Sequence, residues 1–167
     1  MSNISSKIYF KNIAVILIIA MFFIIDRFLK MLALNMEADK TKNIIGQIFS
    51  FSFTKNYNIA FSLPLGGPVL NIIIISLILV IILIIGHSIW QEKKISKKSI
   101  VLTFILFGAI SNIVDRLKYG FVIDYLELKY FTIFNLADIM ISLGAIILIL
   151  QNLKSTSLCS KEISKTH

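Results

Sequence analysis

Residues 108–144 read GAISNIVDRLKYGFVIDYLELKYFTIFNLADIMISLG. Three aspartates, Asp115, Asp124 and Asp138, fall here at the junction of two strongly apolar segments. Two of them close the same short pattern, Asn112-Ile-Val-Asp115 and Asn135-Leu-Ala-Asp138. If both segments are helical, a spacing of three puts each amide on the face of its carboxyl. A carboxylate in apolar surroundings is costly, so it is paired, protonated or functional.

Working outward, the excess of apolar residues sets the class. Of 167 residues 57% are apolar and 16% charged, more apolar surface than a water-soluble fold can use. Four runs carry the excess: 13–34, 69–90, 100–116 and 130–151. Each approaches the roughly 20 residues that cross a bilayer as a helix. The expectation is a single integral membrane domain over 1–167, an all-α protein of four transmembrane helices. An extracytoplasmic segment, 35–68, follows the first helix, and a cytoplasmic tail, 152–167, ends the chain.

The net charge of +8 does not point to nucleic acid, because its placement follows the membrane. The two ends and the loop between helices two and three hold nine basic residues against two acidic ones. The other two loops are near balance: Lys40, Lys42 and Lys55 face Glu37 and Asp39, and Arg116, Lys118 and Lys129 face Asp124 and Glu127. Positive charge stays inside, so both termini are expected in the cytoplasm and the aspartate-bearing loop outside. The first apolar run has no small-x-small cleavage site and continues past Asp26, Arg27 and Lys30 to Leu34, so it reads as a span. Cys159 has no partner cysteine and reads as a bystander in the tail.

Asp26 and Lys30 are four apart on helix one and can pair, with Arg27 and Lys30 snorkelling to the outer interface as the structural alternative. Counting about 1.5 Å per residue inward from Leu34, and from Tyr130 as the start of helix four, sets Asp26 and Asp138 at a similar depth of roughly 12 Å. Between helices one and two, Gln47-Ile-Phe-Ser-Phe-Ser-Phe-Thr54 alternates with period two. That predicts a strand with Phe49, Phe51 and Phe53 on one face, able to lie on the membrane with the aromatic face down. Pro64 and Gly66-Gly67-Pro68 break the chain before helix two.

Two carboxyls held close in low dielectric share one proton, so one can act as a base toward water while the other donates to a carbonyl. Asp124 and Asp138 can form such a pair if the loop after helix three folds back, and Gly120 gives that loop freedom to turn. His87 and His167, both expected in the cytoplasm, leave no Ser/His/Asp set and no zinc ligands beside the aspartates. No metal or other cofactor is expected.

Five blocks in order carry a family resemblance: Asp26 with Lys30, Asn56-Tyr-Asn-Ile-Ala-Phe61, Gly108-Ala-Ile-Ser-Asn-Ile-Val-Asp-Arg116, Val122-Ile-Asp-Tyr125 and Phe134-Asn-Leu-Ala-Asp138. Set in a four-span chain of this length, they resemble bacterial lipoprotein signal peptidase, or signal peptidase II. The resemblance implies an intramembrane aspartic endopeptidase of the bacterial cytoplasmic (inner) membrane. It would remove signal peptides from prolipoproteins just before the diacylglyceryl-modified cysteine. It implies Asp124 and Asp138 as the catalytic pair. Asn56, Asn112, Arg116 and Asn135 would line the substrate and inhibitor site, with Asp26, Lys30, Asp115 and Ala137 shaping or supporting it. It also implies a small extracytoplasmic β-sheet resting on the membrane between helices one and two, contact with membrane lipids, and inhibition by the cyclic peptide globomycin.

The chain departs from the family pattern in three places. Asn58 stands where a glycine is usual, Arg27 follows Asp26 where an uncharged residue is usual, and the stretch from Asp124 to Asp138 is short. Read from the residues alone, two other classes stay open. One is a small transporter or proton-conducting protein; the other is an assembly subunit whose aspartates only pair helices. Clustering of the aspartates toward one face favours the peptidase over transport, which usually shows repeats or broken helices at the midplane.

Overall fold

The computed structural model describes residues 2–36, 41–46, 48–59 and 63–163. Glu37, Asp39, Lys40, Gln47, Ala60, Phe61 and His167, named above, lie outside the described residues. Four helices form: α1 (Ser2–Leu34), α2 (Gly67–Glu92), α3 (Lys97–Tyr119) and α4 (Leu136–Ile163). Each contains a stretch long and apolar enough to cross a membrane. They run past the apolar runs because adding a turn to an existing helix costs little once the helix is nucleated.

α3 sits in the middle and packs against the other three helices. Its ends are well defined. Ser96 caps the start, its hydroxyl accepting from the Ser99 N–H at 3.1 Å, and Gly120 ends it at φ 82° with its N–H on the Arg116 carbonyl at 3.0 Å. α4 lies close against α3 through two glycines. A Cβ on Gly108 would stand 2.7 Å from the Ala137 carbonyl oxygen, and one on Gly144 would run into Ile105. α2 by contrast buries only Leu70 and leaves most of its isoleucines and leucines exposed, as a helix surrounded by lipid would.

The β structure is larger than the alternation in 47–54 predicts. β1 (Lys42–Ile45), β2 (Phe49–Asn56), β5 (Val122–Leu128) and β6 (Thr132–Phe134) form one antiparallel sheet in the order β1-β2-β5-β6. β3 (Asn58–Ile59) and β4 (Leu63–Gly66) pair separately. Half of the main sheet therefore comes from the chain between α3 and α4, not from the chain between α1 and α2. The stretch from Tyr130, expected to open helix four, instead returns beside β5, pairing Leu126 with Phe134 and Leu128 with Thr132. A short apolar run has no periodicity that separates strand from helix. Helix four starts six residues later than expected, so Asp138 lies in its first turn rather than two turns in.

The aromatic face of β2 also turns out differently. Phe51 and Phe53 pack on a small core of Ala33, Ile123 and Tyr125, with the Phe51 and Tyr125 rings 5.5 Å apart. The carboxyl-terminal end of α1, through Leu29, Ala33 and Leu34, supplies the apolar surface that a bilayer was expected to supply. A bulge between Phe51 and Thr54 shifts the β2–β5 register so that Thr54 pairs with Asp124.

Candidate active site

Asn135 caps α4 and does so reciprocally. Its side-chain oxygen accepts the Asp138 N–H at 2.9 Å, while the Asp138 carboxylate accepts the Asn135 N–H at 3.3 Å. The pattern Asn-Leu-Ala-Asp is thus a capping box rather than a shared helix face, and it fixes Asp138 at the amino end of the helix. The amide nitrogen of Asn135 donates to the other aspartate, Asp124, at 2.6 Å. One asparagine therefore ties both carboxyls to one place.

Asp124 projects from β5 and is almost fully buried. Its second oxygen accepts from the Asn56 amide at 2.8 Å, at the end of β2. Burial first, and the nearby Asp138 second, push the Asp124 carboxyl up to about 7. Asp138 accepts from the Asn112 amide of α3 at 2.7 Å. The neighbouring Tyr125 hydroxyl is held protonated, first by burial and then by Asp26. It donates to Asp26 at 2.8 Å and accepts the Leu136 N–H at 3.1 Å.

Behind the two aspartates lies a buried charged cluster. The Lys30 ammonium donates to Asp115 at 2.7 Å, to the Asn112 carbonyl at 2.8 Å and to Asp26 at 3.1 Å, and Lys30, Asp26 and Asp115 are all fully buried. Asp26 also accepts the Ala137 N–H at 3.2 Å and the Ser111 hydroxyl. The expected Asp26–Lys30 pair is present. Asn112 and Asp115 do share a face, since both accept from Lys30. Lys30 and Arg27 do not snorkel, because Asp115 draws both cations inward: Arg27 pairs with its other oxygen. Arg116 donates to the carbonyls of Tyr57 and Asn58, at 3.2 and 2.6 Å. Asn58, in place of a glycine, keeps ordinary strand backbone and pairs across to Gly66. Its N–H is accepted by Asn56 at 3.0 Å, so no glycine is required at that turn.

Two clefts meet at Asp138. One, of about 640 Å³, is lined by Thr54 to Asn58, Asp124, Phe131 to Phe134, Asp138 and the next turn of α4. The other, of about 360 Å³, runs between α2, α3 and α4 past Leu70, Ile73, Leu77, Ile105 and Ile141. Both include Asn56, Asn58, Asp138 and Ser142. The candidate site residues, from Asp26 and Lys30 to Ala137 and Asp138, all stand at this end of the bundle. Ser111 and Tyr125 were missed: each is a buried hydroxyl beside a singled-out residue in the chain, and adjacency was the only signal available.

Comparison with known proteins places the chain in a family. The family pattern of signal peptidase (SPase) II matches residues 18–154. The lipoprotein signal peptidase of Clostridium tetani is 34% identical over 142 residues, covering 81% of this chain and 89% of that protein. That of Buchnera aphidicola is 35% identical over 139 residues, covering 78% and 89%. A solved bacterial membrane enzyme shares the fold at TM-score 0.73, with 23% identity over 86% of this chain and 90% of that one. The chain is therefore a membrane peptidase that belongs to the signal peptidase II family.

Proposed function

We propose that this peptidase cuts prolipoproteins immediately before the diacylglyceryl-modified cysteine, with Asp124 and Asp138 as its catalytic pair. The observation that carries the reading is Asn135, which bonds to both aspartates where two clefts join. Two close carboxyls in a low dielectric hold one proton between them at neutral pH, and in this reading the reaction begins with it on Asp124, whose carboxyl burial pushes up to about 7. Asp138 takes a proton from a water as the water oxygen attacks the scissile carbonyl carbon. Asp124 donates its proton to the carbonyl oxygen. When the tetrahedral intermediate collapses, the proton held by Asp138 passes to the leaving nitrogen, the C–N bond breaks, and the hydroxyl proton returns to Asp124. The net change is addition of one water across one peptide bond.

The apolar cleft between α2, α3 and α4 suits the apolar part of a signal peptide, and the larger cleft leaves room beside Asp124 for the lipid-bearing cysteine. Asn56, Asn112, Arg116 and Asn135 present donors along that path; Asp26, Lys30, Asp115 and Ala137 hold them from behind. The excess of basic residues at the other end of the bundle supports an orientation with both termini in the bacterial cytoplasm and the sheet outside, in contact with lipid headgroups.

The test is cleavage of a diacylglyceryl-modified prolipoprotein by the purified protein in detergent, with and without globomycin, beside Asp124→Asn and Asp138→Asn. Each variant is expected to lose about a thousandfold in rate while still unfolding in one cooperative thermal transition no lower than that of the wild type, and globomycin to block the wild type. Cleavage by either variant at the wild-type rate would remove that aspartate from the mechanism.

A further inference from the structure

The buried cluster behind the aspartates is balanced by a residue outside the catalytic pair and the donors around it. Arg27 reaches from α1 to α3 with one nitrogen, which meets the Ser111 carbonyl at 3.1 Å and one oxygen of Asp115. The Arg27 side chain is three-quarters buried, and the nitrogen it turns inward is the one that meets Ser111 and Asp115. Two carboxylates, Asp26 and Asp115, then face two cations, Lys30 and Arg27.

An ammonium has three N–H donors. Lys30 spends them on Asp115, Asn112 and Asp26, at 2.7, 2.8 and 3.1 Å, with the Ser111 hydroxyl a longer fourth acceptor at 3.4 Å. The donation to Asn112 decides which way that amide points, because a carbonyl oxygen facing Lys30 leaves the NH₂ group facing Asp138 at 2.7 Å. If Asp115 had to share Lys30 without a second cation, an orphaned carboxylate oxygen would compete for the ammonium and a net negative charge would stand behind the pair.

We propose that Arg27 is a positioning residue for the aspartate pair: by holding one oxygen of Asp115 it leaves the Lys30 ammonium on Asn112, and Asn112 on Asp138. The charged and titratable groups around this line of bonds are Asp26, Arg27 and Lys30 of α1, Asp115 and Arg116 of α3, Asp124 and Tyr125 of β5, and Asp138 of α4. Arg27 bonds neither aspartate of the pair, whose side-chain partners are Asn56, Asn112 and Asn135, so its removal leaves those partners in place. The proposal rests on the assignment of Asp124 and Asp138 as that pair.

The test is the pH dependence of kcat/KM for Arg27→Leu, with Arg27→Lys, Arg27→Gln and the double variant Arg27→Leu/Asp115→Asn, each beside the wild type and Asp138→Asn. Loss of one positive charge near the pair should move the acid limb of the Arg27→Leu profile upward by about half a unit to one unit. It should also lower kcat roughly tenfold with KM little changed. Arg27→Lys should return the limb toward the wild-type position, and so should the double variant, which removes one charge of each sign. Should Arg27→Leu fail to fold, Arg27→Gln carries the same charge change in a side chain of similar length.

A lowered melting temperature with the acid limb unmoved would mean that Arg27 only packs α1 on α3, and would overturn the proposal. So would a double variant whose limb stays with that of Arg27→Leu. A wild type that does not cleave, or an Asp138→Asn that does, would instead defeat the underlying assignment of the pair.

Discussion

Asp124 has an amide on each carboxylate oxygen, from Asn56 and Asn135, and its raised carboxyl makes stability depend on pH. Its carboxyl sits at about 7 against an ordinary 3.8, so folding favours the protonated form. That contribution to stability is whole below about pH 4 and is lost as the pH rises through about 7. Asp124→Asn removes the ionisation. The variant should match wild type near pH 4 and exceed it at pH 7.5 by on the order of 2–4 kcal/mol, read from thermal unfolding in detergent at both values. An equal difference at the two pH values would show that the carboxyl is ionised at little cost. Asn135 permits a second separation, since it caps a helix and also donates to Asp124. Asn135→Ser keeps a capping oxygen but has no amide to reach Asp124. Its melting temperature should stay near wild type while the cleavage rate drops roughly a hundredfold. Asn135→Ala should lose the rate and also about 1 kcal/mol of stability.

At the scale of elements, the contact between α3 and α4 decides where Asp138 stands. The space above Gly108 is filled by the Ala137 carbonyl oxygen, one residue before Asp138, and by Met140 and Ile141. Gly108→Ala must push the first turn of α4 away by several tenths of an ångström, because a backbone oxygen cannot swing aside as a side chain can. Overpacking of this kind costs about 1–3 kcal/mol. The rate of cleavage should fall with it, since the bond from Asn112 to Asp138 bridges the same two helices. Gly86 in α2 has nothing within 4 Å of where its Cβ would lie, so Gly86→Ala is the matched control. It should leave both stability and rate unchanged or slightly improved. Equal damage from the two substitutions would mean that close approach of α3 and α4 is not what places Asp138.

Across the whole molecule, the charged and polar residues that matter gather at the end of the bundle that carries the sheet, where both clefts meet. That arrangement suits surface hydrolysis better than conduction, which needs polar groups along the length of a span. The proposed orientation is checked in a Cys159→Ser background. Asn43→Cys on β1 should react with a membrane-impermeant maleimide in intact spheroplasts. Lys93→Cys, between α2 and α3, should react only after lysis. The reverse pattern would turn the molecule over and put Asp124 and Asp138 in the cytoplasm.

The four spans were legible in the sequence because an apolar run of about 20 residues has few other uses, and each of the four expected helices formed. The pairing of Asp26 with Lys30 was legible too, since a spacing of four leaves little freedom on a helix. The candidate site residues were found through their motifs, and the fold brings them together. What the residues could not give was the partner of each one. Asn112 and Asn135 stand in the same pattern, yet one lies inside a helix and bonds Lys30 and Asp138, while the other caps a helix and bonds Asp124. Whether 130–134 became strand or helix, and whether the phenylalanines of β2 faced lipid or protein, was decided by the edge of β5 and the end of α1 lying beside them. Local pattern fixes the period of a segment, but only tertiary contact supplies the surface that satisfies it.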